Sequence, residues 1–159
     1  MPLAADNKAA PSAAAKTPID IGPLARKVGY ALRRAQLVVF DEFSAIFAEL
    51  DLRPAQYAVL VLLDYTPGLK QSEVASALGI QRANFVALFD SLERRGLACR
   101  NPAPNDRRSY ALYLTESGKD VLLRANRLEA GQETQIDARL GPGGREALLG
   151  LLWQVAERG

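Results

Sequence analysis

The chain has 159 residues, 48% of them apolar and 24% charged, and its formal net charge is +2. These values predict one globular domain or a domain with extensions, and so small a net charge does not by itself indicate a nucleic-acid partner. The sequence contains no histidine, which excludes Ser-His and Cys-His nucleophile pairs and removes the commonest transition-metal ligand. It also lacks a glycine-rich phosphate loop, so we predict no enzyme, no metal and no cofactor.

The cysteine count and the N-terminal composition bear on the compartment. Cys99 is the only cysteine and cannot form an intrachain disulfide, which favours a reducing compartment. Residues 1–18 lack the apolar core of a signal peptide, and no apolar run reaches the ~18 residues of a membrane helix. We therefore predict a cytoplasmic protein with no membrane partner. Residues 1–18 are rich in Ala, Pro, Lys and Ser and predict a disordered tail, unless they form an arm that contacts DNA or a second subunit.

A long helix is predicted over 19–50, with Asp20 as N-cap and Pro23 in the first turn. Beyond Gln36 its apolar face becomes wide, because apolar residues occupy 37–40, 43, 46 and 47. A helix that is apolar over most of its circumference needs burial on more than one side. A second subunit or a ligand would supply that burial, and the alternative is the core of a monomer.

Two short helices joined by a glycine turn follow. The pattern predicts a helix over Pro54–Tyr65, a break at residues 66–68, a short helix over Gln71–Leu78, and a further helix over Gln81–Gly96. Gly79 allows the sharp turn between the last two, so together they predict a helix-turn-helix. The second helix of this helix-turn-helix, Gln81–Gly96, has apolar residues at i, i+3, i+4 and i+7. They are Phe85, Leu88, Phe89 and Leu92.

Two short strands after this helix predict a β-hairpin. They cover Leu97–Arg100 and Tyr110–Leu114 and are joined by a turn-rich, charged loop over 101–109. A helix-turn-helix followed by such a hairpin is a winged helix.

Positive charge is concentrated in the same region. Between Ile80 and Tyr110 there are six arginines, at 82, 94, 95, 100, 107 and 108, against three acids, at 90, 93 and 106. The local excess of three exceeds the net charge of the whole chain. Such clustering is the electrostatic pattern of a DNA-binding surface.

Two final helices complete the chain. Thr115 caps a helix that runs to Leu140, Gly141–Gly144 connects, and Arg145–Glu157 forms the last helix, on which Trp153 is predicted to pack at a dimer interface. We therefore predict a mainly α protein with a small β-hairpin wing and flanking dimerisation helices. After the tail 1–18, residues 19–50 form the dimerisation and ligand-facing helix, 51–115 the DNA-binding region and 116–159 the C-terminal dimerisation helices, all within one domain over 19–159.

The sequence from about 20 to 157 resembles the MarR family of bacterial transcription regulators. The matching pieces, in order, are PAQY at 54–57, PGLKQSEVA at 67–75, LGI at 78–80, LERRGL at 92–97 and NDRR at 105–108. The Asp-x-Arg of the wing, placed after this helix and between two long flanking helices, is the most specific of them. The resemblance implies a winged helix-turn-helix dimer that binds DNA and responds to small ligands.

In a helix-turn-helix, the N-terminal residues of the second helix lie nearest the base edges. Gln and Asn can pair with adenine, Arg with guanine, and Val or Ala can touch a thymine methyl group, so the predicted contacts are Gln81, Arg82, Asn84, Val86 and Ala87. The family usually carries a hydroxyl and a basic residue at the last two of these positions, so we expect fewer direct polar base contacts. The alternative for Gln81 and Asn84 is that they only cap the helix.

The wing supplies a second set of contacts. Family resemblance implies that Arg108 enters the minor groove and that Asp106 holds it through a charge-assisted pair, while Arg107 contacts phosphate. The alternative is a solvated charged loop. Arg94 and Arg95 read as helix-end charges, with Arg95 also within reach of the wing.

In the family, small molecules, often aromatic acids, bind between the dimerisation helices and the helix-turn-helix. The corresponding ligand candidates are Arg33, Arg34, Phe40, Phe43, Tyr57 and Tyr65. Core packing is the alternative for the aromatics, and intersubunit ion pairs or solvation for the arginines. Paired arginines beside aromatic rings suit an aromatic acid or the phosphates of its CoA thioester.

Some family members sense peroxide through a cysteine near the start of the first helix. Cys99 lies instead on the first wing strand, where an inert small hydrophobe is the better interpretation.

The sequence thus predicts a homodimeric repressor that binds a pseudo-palindromic operator in double-stranded DNA and is released by a small anionic aromatic effector. The rival hypothesis is a winged helix that binds an acidic protein partner without sequence-specific DNA binding.

Overall fold

The computed structural model describes residues 19–103 and 106–157, without the side chains at 106–108. The chain is divided into two compact units, with the boundary after Ala35. The helices and strands are α1 (Val28–Ile46), α2 (Pro54–Tyr65), α3 (Gln71–Ala77), α4 (Arg82–Arg94), β1 (Ala98–Ala103), β2 (Asp106–Leu114), α5 (Glu116–Leu140) and α6 (Gly144–Ala156). The predicted fold class, mainly helical with a β-hairpin wing, is confirmed.

The prediction of one helix over 19–50 is wrong. A 3₁₀ turn over Gly22–Arg26 and an extended Lys27 precede α1. Gly22 has φ +52°, outside the helical region, and its N–H donates to a carboxylate oxygen of Asp20 at 2.8 Å. Asp20 therefore closes a local turn rather than capping the long helix.

The other end of this segment is interrupted as well. Helix α1 ends at Ile46, and a separate 3₁₀ turn covers Ala48–Leu50. Asp51 then adopts a left-handed conformation with φ 46°, which redirects the chain towards α2.

The helix-turn-helix lies where it was predicted, with ends within two residues. Gly79 has φ +63° and forms the turn between α3 and α4. The N–H of Lys70 donates to Glu73 Oε2 at 2.7 Å, so a Glu side chain closes the first turn of α3.

The hairpin is longer than predicted, and the loop assigned to 101–109 is wrong. Antiparallel pairing continues through Asn101↔Ala111 and Pro102↔Tyr110 to Ala103↔Asp106, with an irregularity after Pro102. Proline and asparagine favour turns locally, but the ladder extends past them. The sheet tolerates Pro102 because β1 is an edge strand.

A third segment is attached to the hairpin. The N–H of Gly68 donates to Leu112 O, and the N–H of Leu112 donates to Leu69 O, both at 2.9 Å. Gly68 has φ +87°, and a Cβ there would lie 3.1 Å from the Tyr113 hydroxyl. These contacts fix the base of the wing to the segment that leads into α3.

The core of the second unit lies among α2, α4, the hairpin and the start of α5. Its largest fully buried side chains are Phe47, Phe85, Phe89, Leu60, Leu63, Leu92, Leu112, Val59 and Val74. Burial of each contributes about 1.5–3 kcal/mol. Three of the nine belong to α4, so the core sets how that helix presents its other face.

The start of α5 and its predicted end at Leu140 are confirmed. Thr115 Oγ1 accepts from the N–H of Gly118 at 3.0 Å and donates to Gly96 O at 2.5 Å. Gly141 and Gly143 have φ +74° and +71° and form the connector to α6.

Candidate nucleic-acid interface and effector-binding residues

Helix α4 buries one face and exposes the residues predicted to contact DNA. Phe85, Phe89 and Leu92 are fully buried. The opposite positions are exposed, namely Gln81, Arg82, Asn84, Val86 and Ala87. Gln81 is the N-cap residue, but its side chain makes no capping hydrogen bond, so the capping alternative fails for it.

A groove of about 590 Å³ runs along this exposed face, between α4 and the start of α2. It is lined by Asp51, Arg53, Ala55, Gln56, Asn84, Ala87, Leu88, Ser91, Arg94 and Arg95. Three arginines against one aspartate make it positively charged.

Gln56 joins the start of α2 to α4. Its side chain is buried, its Oε1 accepts from the N–H of Arg53 at 2.9 Å, and its Nε2 donates to Ser91 Oγ at 2.8 Å. Ser91 Oγ in turn donates to Leu88 O at 2.6 Å. Every polar group of this link is satisfied, so it fixes the two helices in register.

Arg95 does not reach the wing, and that prediction is wrong. Its guanidinium donates to the carbonyl oxygens of Asp51 at 2.5 Å and Leu50 at 2.8 Å. Carbonyls that follow a 3₁₀ turn lack helical partners, which makes them acceptors for a cation at the end of α4.

Arg100 joins the wing to α4. Its guanidinium donates to Asp90 Oδ1 at 2.6 Å and to Glu93 Oε2, and its Cζ lies 4.6 Å from the centre of the Phe89 ring. Its own N–H donates to Glu93 Oε1 at 3.1 Å.

Two of the six arginines counted in this region are therefore engaged within the chain. Arg95 holds two backbone carbonyls, and Arg100 pairs with two carboxylates of α4. Arg82 and Arg94 are exposed and form no ion pair with any residue that the structure describes. The side chains of Asp106, Arg107 and Arg108 lie outside the described part of the structure.

Two of the predicted effector residues share an aromatic cluster. The ring centres of Phe43 and Tyr57 lie 5.4 Å apart, and Phe47 lies 3.9 Å from the first and 5.2 Å from the second. Tyr57 Oη donates to Asn126 Oδ1 at 3.0 Å. Burial, together with the charges of two carboxylates on α5, raises the pKa of Tyr57 to about 12.

The other effector candidates are not in this cluster. Phe40 is 46% exposed and lines a separate cavity of about 560 Å³ with Asp41, Ser44, Phe47, Ala48, Asp51, Leu52, Arg53 and Pro54. Tyr65 is 87% exposed at the end of α2. Arg33 and Arg34 belong to the first unit and are exposed on α1.

Several large apolar side chains are exposed in the part of the chain that the structure describes. Those on α6 are Leu148, Leu149, Leu151, Trp153 and Val155, and those on α1 within the second unit are Leu37, Val38 and Phe40. The first unit exposes Ile19, Ile21, Leu24 and Val28. Exposed apolar faces of this size are typical of protein or ligand interfaces.

Other kinds of site are missing from the residues that the structure describes. None of their His, Cys, Asp and Glu side chains form a group able to hold a metal ion, and none of their helices could span a membrane. Cys99 is half-buried on β1, opposite Tyr113.

Comparison with known proteins identifies the family. The family model described as MarR family matches residues 50–109. The putative transcriptional regulatory protein for the hcr operon of Thauera aromatica is 34% identical over 132 residues, which cover 82% of this chain and 80% of that protein. The chain belongs to the MarR family.

Two solved structures of a MarR-family repressor, CouR, extend the match to nearly the whole chain. CouR bound to a 23-mer DNA duplex is 46% identical, with a TM-score of 0.84, and the match covers 89% of this chain and 100% of that one. CouR bound to p-coumaroyl-CoA is 43% identical, with a TM-score of 0.82 and the same coverage. This MarR-family chain is therefore a transcription regulator and not an enzyme.

Sequence reasoning missed three groups of this MarR-family site. Gln56 pairs with Ser91, Arg95 with the carbonyls before α2, and Arg100 with α4. Gln56 lies within the PAQY piece that resembles the family, but nothing in the spacing indicated its partner. Such pairs become visible only when the helices are packed.

Proposed function

We propose that the chain is a homodimeric repressor that occupies an operator and leaves it when a small anionic aromatic ligand, or its CoA thioester, binds. The observation that carries this proposal is the likeness across 89% of the chain to a repressor solved with a DNA duplex and with p-coumaroyl-CoA. A protein of this function acts in the cytoplasm, where the DNA is.

DNA recognition is assigned to the exposed face of α4 and to the wing. The base-facing residues are Gln81, Arg82, Asn84, Val86 and Ala87, and the wing residues are Asp106, Arg107 and Arg108. Their support is the exposure of the α4 residues and the Asp-x-Arg of the wing. Two copies would place two α4 helices about 34–36 Å apart on a pseudo-palindromic operator.

Dimerisation is assigned to residues 19–50 and 116–159, and DNA binding to 51–115, within one domain over 19–159. The apolar side chains exposed on α1 and α6 support this division, because they need a partner that a single chain does not supply.

The effector is assigned to Phe43 and Tyr57, with Phe40, Tyr65, Arg33 and Arg34 as further contacts. The aromatic cluster supports an aromatic ligand, and the arginines support an anionic one. A ligand that binds better to the form unable to grip DNA would release the operator by shifting the population.

A displacement titration on the protein–operator complex tests this function. A hydroxycinnamate, its CoA thioester and CoA alone are added separately, and release of labelled operator is followed by fluorescence anisotropy. Release by the thioester alone would support Arg33 and Arg34 as partners of its phosphates. Release by the free acid alone would support a small pocket lined by Phe40, Phe43 and Tyr57. No release by any of the three would refute the effector assignment.

The salt dependence of operator binding tests the DNA assignment itself. With about 6–10 phosphate contacts, the slope of log affinity against log salt should lie near −5 to −9. A slope near zero, with no preference for the operator over a scrambled duplex, would favour the protein–protein module instead.

A further inference from the structure

The groove between α4 and the start of α2 carries charges that no predicted DNA contact uses. We infer that Arg53 and Arg94, at its two sides, bind backbone phosphates of the operator. This inference rests on the proposed binding of DNA through α4 and adds a contact outside the base-facing residues and the wing. The groove also holds Arg95, and Asp51 is the one carboxylate among its lining residues.

Both arginines are available for an external anion. Arg53 and Arg94 are exposed, and neither guanidinium forms an ion pair or hydrogen bond within the part of the chain that the structure describes. Arg95 and Arg100, by contrast, hold carbonyls and carboxylates of their own chain. An unpaired guanidinium can offer two parallel N–H donors to a phosphate.

The groove lies on the side of α4 that is predicted to face DNA. Asn84 and Ala87, two of the predicted base contacts, line it together with Arg94. Asn84 and Arg94 are separated along the helix by about 15 Å, at 1.5 Å per residue. A duplex that engages the start of α4 would therefore pass its backbone along the groove.

The backbone at Arg53 is held on both sides. Arg95 holds the carbonyls of Leu50 and Asp51, and Gln56 accepts the N–H of Arg53 itself. Because the backbone is already ordered, only the side chain of Arg53 loses conformational entropy on contact with a phosphate. The carboxylate of Asp51 lies 3.9 Å from the Arg95 guanidinium, which offsets its charge towards an incoming phosphate.

Salt titrations of the full-length Arg53→Gln and Arg94→Gln variants test the inference. If each arginine neutralises one phosphate in each subunit of the dimer, the slope should become shallower by about 1.8, or 0.9 per phosphate. Operator and scrambled duplex should weaken alike, because phosphate contacts carry no sequence information. Arg53→Lys keeps the charge and should keep the wild-type slope.

Arg127→Gln is the matched control, because Arg127 is exposed on α5 and does not line the groove. It should leave the slope unchanged, and thermal unfolding should confirm that all four variants remain folded. Wild-type slopes for Arg53→Gln and Arg94→Gln would overturn the inference while leaving operator binding intact. A loss of operator preference at unchanged slope would overturn it too, since it would mean base contact. If the wild type fails to bind the operator, the proposed function itself fails.

Discussion

Arg100 lies on β1, yet its guanidinium contacts are all with α4. It meets two carboxylates and the face of Phe89, and its side chain is only 16% exposed. Arg100→Gln leaves Asp90 and Glu93 facing each other without a cation. Because both carboxylates are partly exposed, we expect the free energy of unfolding to fall by about 1–3 kcal/mol, measured by chemical denaturation.

A double-mutant cycle separates this pairing from a general loss of packing. Glu93→Gln in the Arg100→Gln background should cost less than in the wild type, since the carboxylate has already lost its cation. Strictly additive effects would show that the pair contributes nothing. Arg100→Lys keeps the charge but loses the planar guanidinium. Its free energy of unfolding should lie between those of the wild type and Arg100→Gln.

Glu129 on α5 gives stability an unusual dependence on pH. Burial, reinforced by the charge of Glu133 and opposed by that of Arg145, raises the pKa of Glu129. A group whose folded-state pKa is raised contributes stability below its unfolded pKa and loses it as pH rises through the folded value. Glu129→Gln should therefore raise the melting temperature at pH 7.

The two proteins should melt alike below about pH 4, where the carboxyl is protonated in both the folded and the unfolded chain. Thermal unfolding followed by circular dichroism at several pH values measures the difference. If the difference in melting temperature between the wild type and Glu129→Gln stays constant with pH, its cause is packing rather than ionisation.

At the scale of the elements, the start of α5 is packed directly against the segment after α4. A Cβ on Gly118 would lie 1.9 Å from Leu97 O, a backbone atom that cannot rotate away. We expect Gly118→Ala to destabilise the fold by about 1–3 kcal/mol through this overlap, despite its better helix propensity. Chemical denaturation provides the measurement.

Gly131→Ala, on the same helix, is the control because a Cβ there has nothing within 4 Å. It should be neutral or stabilise by up to about 1 kcal/mol. Equal losses for both glycines would contradict the steric account.

The elements that could be predicted from sequence are those whose ends are marked by the chain itself. Local chemistry sets helix boundaries at Pro54, at the Pro67-Gly68 break and at Thr115. The observed helix ends lie within two residues of the predicted ones. The apolar face of α4 was predicted for the same reason, since 3.6-residue periodicity and burial agree.

The elements that could not be predicted depend on partners distant in sequence. The strands lengthen because pairing of residues 101–103 with 106–111 outweighs their preference for turns. The same holds for the candidate site. Exposure of the α4 residues could be predicted from their spacing, but the Gln56–Ser91 hydrogen bond could not, because it joins residues 35 apart in sequence. Gly22 was a local signal for the break before α1, but a prediction based on apolar periodicity alone does not detect it.

At the scale of the whole molecule, the exposed apolar side chains of α6 support the proposed dimer interface. Trp153, the only tryptophan, is 65% exposed in the single chain. Trp153→Glu should place a charge in the proposed dimer interface. In sedimentation experiments this variant should be a monomer, whereas the wild type should be a dimer. Operator binding should fall with it, because two half-sites need two recognition helices.

Gln154→Glu is the charge-matched control on the same helix, since Gln154 is exposed and polar already. Sedimentation of this variant as two chains, with wild-type affinity for the operator, is the expected result. If Trp153→Glu also sediments as two chains, α6 does not form the interface.

The order of two neighbours on α2 has a consequence for allostery. Gln56 is hydrogen-bonded to α4, and the next residue, Tyr57, stacks in the aromatic cluster assigned to the effector. Helix α2 thus contacts both proposed sites through adjacent residues. If the proposed effector turned α2 at Tyr57, it would strain the hydrogen bond of Gln56 to α4. Thermodynamic linkage makes that coupling free energy reciprocal. Operator DNA would weaken effector binding by the same factor by which the effector weakens DNA binding.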